Sequence, residues 1–235
     1  QAWNELRGRK PSVIREDFCG TSAVAREWVC RNDTNTVLGV DLDEDVLKWA
    51  QNKINTDLSQ EQIERITLVK QNVMSVDSDP VDCILAMNFS YYGFKQRDDL
   101  KKYFTAVHGG LVDDGVFLLD AYGGSDSFLE MDEERDMDGF TYVWDQHHVN
   151  PITGYIINYI HFEFPNGSKI KKAFTYEWRF WTLPEIQDVL HEAGFSKVVV
   201  YWEGTNKDGE GNGVWAIDSE GEACAGWVAY IAAVK

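Results

Sequence analysis

Two carboxylates carry the strongest chemical signal in this chain. Glu16 closes one apolar, strand-like run and Asp41 closes another, 25 positions later. Between them a tight turn, Cys19-Gly20-Thr21-Ser22, opens a helical pattern. That layout suits a nucleoside held across the carboxyl ends of two parallel strands. The turn lets backbone N–H groups approach the ligand, and Asp41 can accept hydrogen bonds from two ribose hydroxyls. The plainer alternative is any βαβ unit whose strands end in acidic residues.

Other residues able to do chemistry are scattered. His147 and His148 are adjacent on a predicted strand, so the spacing sends them to opposite faces and lets at most one face a site. His161 lies on the same predicted sheet. Tyr91, Tyr92 and Tyr122 fall near the ends of the fourth and fifth strands, and Arg179 leads into a late helix. Trp144, Tyr176, Trp178 and Trp181 could form an aromatic wall. Each of these has a packing or orienting role as its competing explanation. The four cysteines, Cys19, Cys30, Cys83 and Cys224, include no C-x-x-C pair, so zinc and thioredoxin-type spacings are missing and no metal is expected.

These residues need a scaffold, and its pattern is regular at first. Residues 2–6 read as a helix end broken by Gly8 and Pro11. Strands are expected at 12–17, 36–40, 65–70, 81–87 and 115–121. Helices are expected at 20–31, 43–55 and 98–108, the second capped by Asp43. Alternating strand and helix imply a parallel sheet with helices on both faces. Between 140 and 181 the period changes to two. Ile156, Asn158, Ile160, Phe162 and Phe164 alternate with their neighbours, and Pro165-Asn166-Gly167-Ser168 is a turn signal. A three-stranded antiparallel insertion with one aromatic face is expected there. Thr182 with Glu185 forms a capping box for a helix to Gly194. A strand at 195–203, a Gly- and Asp-rich loop at 204–222 and a last strand at 224–234 complete the reading. The division is a core of residues 1–124 plus 182–235, with 125–181 as the insertion.

The chain has 235 residues, enough for one sizeable core with an insertion. Its net charge is −17, from 22 basic against 39 acidic residues. That opposes nucleic acid, whose binding needs a basic footprint, and disfavours an anionic membrane surface. A small-molecule partner is expected; a homodimer is left open. No signal peptide or long apolar run is visible, and unpaired thiols suit the cytoplasm. The first residue is Gln1 rather than Met, so further N-terminal residues are expected.

Nearly the whole chain resembles the class I S-adenosylmethionine-dependent methyltransferases of small-molecule type. Glu16 takes the acidic position after the first strand, and Phe18-Cys19-Gly20-Thr21-Ser22 takes the Gly-rich turn, with Gly20 the one glycine kept. Val37-Leu38-Gly39-Val40-Asp41-Leu42-Asp43 is the most specific match. The resemblance implies that Asp41 holds the ribose and Leu42 lies on the adenine. It implies that Gln71-Asn72-Val73 borders the adenine, with Asn72 the candidate to read its amino group and Val73 beside it, while Met87 and Asn88 border the methionine part. Phe18, Cys19, Gly20 and Thr21 are the implied cofactor turn. It further implies a seven-stranded, mostly parallel Rossmann-like sheet of order 3-2-1-4-5-7-6, with the insertion after strand five as a substrate lid. Where base-methylating members carry a Pro-Pro motif, this chain reads Asn88-Phe89-Ser90-Tyr91-Tyr92. The expected reaction is in-line methyl transfer to a nitrogen, oxygen or carbon acceptor, with Tyr91, Tyr122, His148 and Arg179 as catalytic candidates. Two rivals are a nicotinamide-dependent oxidoreductase, disfavoured because F-C-G-T-S-A is not G-x-G-x-x-G, and a non-catalytic S-adenosylmethionine-binding protein.

Overall fold

The computed structural model describes residues 2–207 and 209–235; Gln1 and Asp208 lie outside the described residues. After helix α1 (Ala2–Arg7) come β1 (Val13–Asp17), α2 (Ala23–Arg31), β2 (Thr36–Asp41), α3 (Glu44–Asp57), the short α4 (Gln60–Ile63), β3 (Ile66–Lys70), β4 (Val81–Ala86), α5 (Arg97–Gly109) and β5 (Leu111–Gly123). An antiparallel segment follows: β6 (Met131–Met137), β7 (Phe140–Val149), β8 (Tyr155–Glu163) and β9 (Lys169–Arg179). The chain ends with α6 (Leu183–Glu192), β10 (Lys197–Thr205), β11 (Gly211–Asp218) and β12 (Trp227–Val234).

The main sheet has the order β11-β10-β12-β5-β4-β1-β2-β3. The pairs from β3 to β5 are parallel, while β12 and β11 run antiparallel to their neighbours. The expected count of seven strands, and the order that went with it, is therefore corrected to eight. The extra strand is β11, inside the stretch read as a loop. Its glycines and acids depress strand propensity, but pairing with the open edge of β10 overrides that preference.

Neighbouring residues of one strand go to different cores. Ile84, Phe117 and Ile231 join a cluster with Leu100, Phe104 and Val107 of α5 and Ile186 and Val189 of α6. Cys83, Val116 and Ala232 join another with Ala25 and Val29 of α2. Side chains alternate across a strand, so the two clusters lie on opposite faces of the sheet. Two of the longer helices start at capping residues. The Asp43 side chain accepts from the N–H groups of Asp45 and Val46 at the start of α3, and Thr182 forms a capping box with Glu185 at the start of α6.

β1 is unusual for a central strand. Arg15, Glu16 and Asp17 are 2%, 8% and 1% exposed. The Arg15 guanidinium donates to both Asp17 oxygens, at 2.8 and 3.0 Å, and the Tyr103 hydroxyl donates to Asp17 at 2.9 Å. Buried charges are tolerated when paired in this way.

The insertion has four strands, β6-β7-β8-β9, not the expected three. β6, MDEERDM, is exposed throughout and has no apolar alternation, so period two could not reveal it. Its charges suit an edge strand. It joins β7 through the two-residue turn Asp138-Gly139, with Met137 opposite Phe140 and Gly139 at φ +85°. Among the described residues, no helix is long and apolar enough to cross a membrane.

Candidate active site at the carboxyl ends of the central strands

β1 lies between β2 and β4, and the chain leaves these strands toward opposite faces. A crevice opens at such a switch point, beyond the carboxyl ends of the strands. The backbone is unusual there. Among the described residues, five non-glycine residues have left-handed backbone, and four lie in the two turns bounding this crevice. They are Phe18 and Ser22 after β1 (φ 57° and 55°) and Asn88 and Phe89 after β4 (φ 58° and 57°). Such strain costs roughly 1–2 kcal/mol per residue and persists where the surroundings enforce it.

The surroundings of the first turn are specific. Gly20, itself at φ 50°, donates its N–H to Asp41 Oδ2 at 2.8 Å, and the Asp43 N–H donates to Asp41 Oδ1 at 2.9 Å. The Cys19 N–H donates to the Val40 carbonyl at 3.0 Å. Beneath the turn, a Cβ on Gly39 would lie 2.7 Å from Leu68 Cδ2 and 3.0 Å from Cys19 Sγ, so glycine alone lets β2 approach this closely.

Glu16 faces this region from the end of β1. Its Oε2 is buried with no hydrogen-bond partner. Burial pushes its carboxyl up to about 7; the Ala25 N–H opposes the rise and the neighbouring Asp41 charge adds to it. Burial also pushes the Cys19 thiol up to about 12, so it stays neutral and is a poor nucleophile.

The second turn hangs on a residue that the sequence reading missed. Asp120, near the end of β5, is 6% exposed. Its Oδ2 accepts from the Asn88 N–H at 2.8 Å and its Oδ1 from the Phe89 N–H at 2.9 Å. Phe89 then meets Tyr122 (ring centroids 4.8 Å apart), Tyr92 (6.0 Å) and Trp178 (6.4 Å). Trp178 lies tilted against Tyr176 at 4.4 Å, and Tyr176 lies 6.0 Å from Trp144. An aromatic wall thus runs from the core onto the inner face of the insertion. Asn158, on that same face, donates toward the Tyr122 hydroxyl at 3.5 Å. A lone polar residue in the Ile156/Ile160 stripe was the signal for Asn158; an acid two positions before Tyr122 was the signal for Asp120.

The structure brings Glu16, Phe18, Cys19, Gly20, Thr21, Asp41 and Leu42 to one end of the crevice, and Met87, Asn88 and Tyr122 to the other. Leu42 is 63% exposed beside Asp41, an uncovered apolar surface. Asn72 is exposed, but its Oδ1 already accepts from the Met74 N–H at 2.9 Å. The Val73 side chain is buried in the core, so only its backbone can face a ligand.

Three catalytic candidates are placed elsewhere. Tyr91 is fully buried and donates its hydroxyl to the Asp120 carbonyl at 2.7 Å, which makes it a packing residue. His148 does not face the crevice. A β-bulge between Gln146 and His148 shifts the register, so His148 pairs with Ile157 on the outer face and contacts Glu130 at 3.1 Å. The same bulge cancels the expected opposition of His147 and His148: His147 also lies outside, against Tyr159. His161 is held there by Asp145 and the Lys172 N–H. Arg179 lies over the Trp181 ring at 3.8 Å and pairs with Glu185 at 3.3 Å, tying β9 to α6. Trp181 is buried and donates to the Phe94 carbonyl. Tyr122 remains, half-buried, and burial pushes its phenol up, so it is neutral and not a ready base. Among the described residues, no three His, Cys, Asp or Glu side chains gather as metal ligands.

No family model and no curated protein matches this chain. Solved structures do. A S-adenosylmethionine-dependent methyltransferase from Clostridium acetobutylicum aligns with a TM-score of 0.68 at 19% identity, covering 99% of this chain and 86% of that one. The S-adenosylmethionine-bound amino pentose methyltransferase of calicheamicin biosynthesis from Micromonospora echinaspora also gives 0.68, at 14% identity, over 100% and 87%. A glycopeptide N-methyltransferase complexed with S-adenosylmethionine gives 0.63 at 15% identity, over 99% and 91%. The chain has the fold of S-adenosylmethionine-dependent methyltransferases.

Proposed function

We propose that the protein transfers a methyl group from S-adenosylmethionine to a small-molecule acceptor, and that the acceptor atom is an amine nitrogen. The observation that carries the cofactor is Glu16. A buried carboxylate oxygen without a partner is costly unless a cation meets it. It lies in the strained crevice at the switch point, where the ammonium of the cofactor's amino-acid part would supply that cation. Asp41 fits the ribose: each oxygen accepts one backbone N–H and keeps a lone pair for a hydroxyl. Leu42 offers its exposed side chain to the adenine, and the Asn72 amide can reach the adenine edge.

When bound, this cofactor supplies an electrophilic methyl group on a positively charged sulfur. The protein's part is positioning and exclusion of water. Phe89, Tyr122, Trp144, Tyr176 and Trp178 offer aromatic faces to the acceptor, and residues 125–181 serve as its lid. Tyr122 orients through its neutral hydroxyl. A neutral amine attacks with its own lone pair and sheds its proton to solvent, so the site needs no strong base. The amino pentose and glycopeptide acceptors of the methyltransferases that share this fold agree with a nitrogen nucleophile.

The test is turnover to S-adenosylhomocysteine against amino sugars, other amines, hydroxylated analogues and carboxylates. Amine-dependent product supports the reading. Binding of NAD in place of S-adenosylmethionine by calorimetry, or cofactor binding without turnover on any acceptor class, defeats it.

A further inference from the structure

A second concavity lies apart from the crevice. It has a volume of about 650 Å3 and sits between the start of α6, the α6-side face of β10 and the segment 217–223. Phe180 separates the two spaces: its ring meets Tyr122 on the crevice side at 5.5 Å and Phe128 on the cavity side at 4.8 Å. The walls are apolar, with Leu183 from α6, Val198 and Val200 from β10, and the indoles of Trp202 and Trp227, which lie 5.1 Å apart. Volume and lining match those of small-molecule sites.

The rim decides the charge of the occupant. Asp218, Glu220 and Glu222 line the opening, and no Lys, Arg or His does. Asp218 caps its own turn, accepting the Glu220 N–H at 3.0 Å. The start of α6 would ordinarily attract an anion, but here the Glu185 carboxylate already occupies it. The Glu185 carboxylate accepts from the Thr182 N–H at 3.0 Å, the Thr182 hydroxyl faces the Glu185 N–H, and Pro184 has no N–H to give. Indole faces favour a cation over a neutral group. The net charge of −17 acts in the same direction.

We infer that this cavity is a second ligand site, for a small organic cation with an apolar body of ring size. The apolar part lies among Leu183, Val198, Val200 and the two indoles, and the positive group meets the carboxylate rim. The inference does not rest on the methyl-transfer reading; the cavity borders the crevice at Phe180 and at Gly123, which follows Tyr122.

The test is direct binding of three fluorescent probes without any cofactor: cationic dansylcadaverine, neutral dansylamide and anionic anilinonaphthalene sulfonate. Saturable, blue-shifted emission is expected with dansylcadaverine, at least about tenfold tighter than with the other two. Gln187→Trp, which fills the cavity from α6, should abolish it while circular dichroism and the melting temperature stay as in the parent. Should that variant not fold, Asp218→Asn, Glu220→Gln and Glu222→Gln together change only exposed side chains and should remove the preference for the cationic probe. Equal binding of all three probes, or cationic binding that survives both the filled cavity and the neutral rim, overturns the proposal.

Discussion

The Asp41 carboxylate holds the Gly20 N–H at 2.8 Å, joining the end of β2 to the strained turn after β1. Its other oxygen holds the Asp43 N–H. Asp41 therefore builds the crevice, and in the proposed reading it also offers lone pairs to a ribose. Asp41→Ala should lower stability by about 1–3 kcal/mol, since two backbone donors lose a charged acceptor. S-adenosylhomocysteine affinity should fall about tenfold or more, from the lost hydroxyl contacts. Denaturant melts and calorimetry measure the two separately. Lower stability with unchanged affinity would leave Asp41 as a turn staple and nothing more.

Glu16 makes both stability and affinity depend on pH, in opposite senses. Its folded-state value is raised to about 7 from an ordinary 4.5, chiefly by burial. The folded apo protein holds this proton more tightly than the unfolded chain, so the contribution is full below about 4.5. It is lost as pH rises through about 7, a difference on the order of 3 kcal/mol. A bound ammonium needs the ionised form, so affinity for S-adenosylhomocysteine should rise up to about pH 7 and then level off. In Glu16→Gln the apo protein should be more stable at pH 8 than the parent, with affinity weaker and flat across this range. A parent affinity with no pH dependence between 5 and 8 would count against the ammonium contact.

The acids at the ends of β1 and β2 were readable in the sequence because each closes an apolar run and a tight turn lies between them. The capping box at Thr182 and the Asp43 cap were readable for similarly local reasons. β6 and β11 were not. Both are edge strands, and an edge strand exposed on both faces carries no alternation. The fate of His148 was hidden because one bulged residue at His147 reverses a period-two argument. Asp120 was hidden because an acid near a strand end is ordinary; its importance comes from two N–H groups that arrive from β4, some thirty residues earlier.

That placement makes Asp120 a positioning residue. Both oxygens are used, so Asp120→Asn turns an amide NH2 toward one of the two backbone N–H groups. Stability should drop by about 1–3 kcal/mol. The β4 turn should loosen, moving Phe89 away from Tyr122. Acceptor KM should rise and kcat fall, while S-adenosylhomocysteine affinity changes little, because the β1 turn is held by Asp41. A stability loss with kinetics untouched would show that Asp120 serves the fold alone.

The inner face of the insertion tests the lid. Trp144 and Tyr176 are half-buried and 6.0 Å apart, and their rings continue the wall that starts at Phe89. They can be truncated without emptying the main core, whereas Trp178 cannot. Trp144→Ala and Tyr176→Ala should leave cofactor affinity unchanged and raise acceptor KM about tenfold, as expected for lost aromatic contact area. Tyr122→Phe separates orientation from proton transfer. Burial keeps this phenol neutral, so removing its hydroxyl should cost less than the roughly 10²-fold typical of a lost general base, and the pH profile should keep its shape. A larger loss together with a vanished pH limb would make Tyr122 a proton-transfer group. Unchanged acceptor KM in both tryptophan and tyrosine truncations would place the acceptor elsewhere and leave residues 125–181 as an interaction surface.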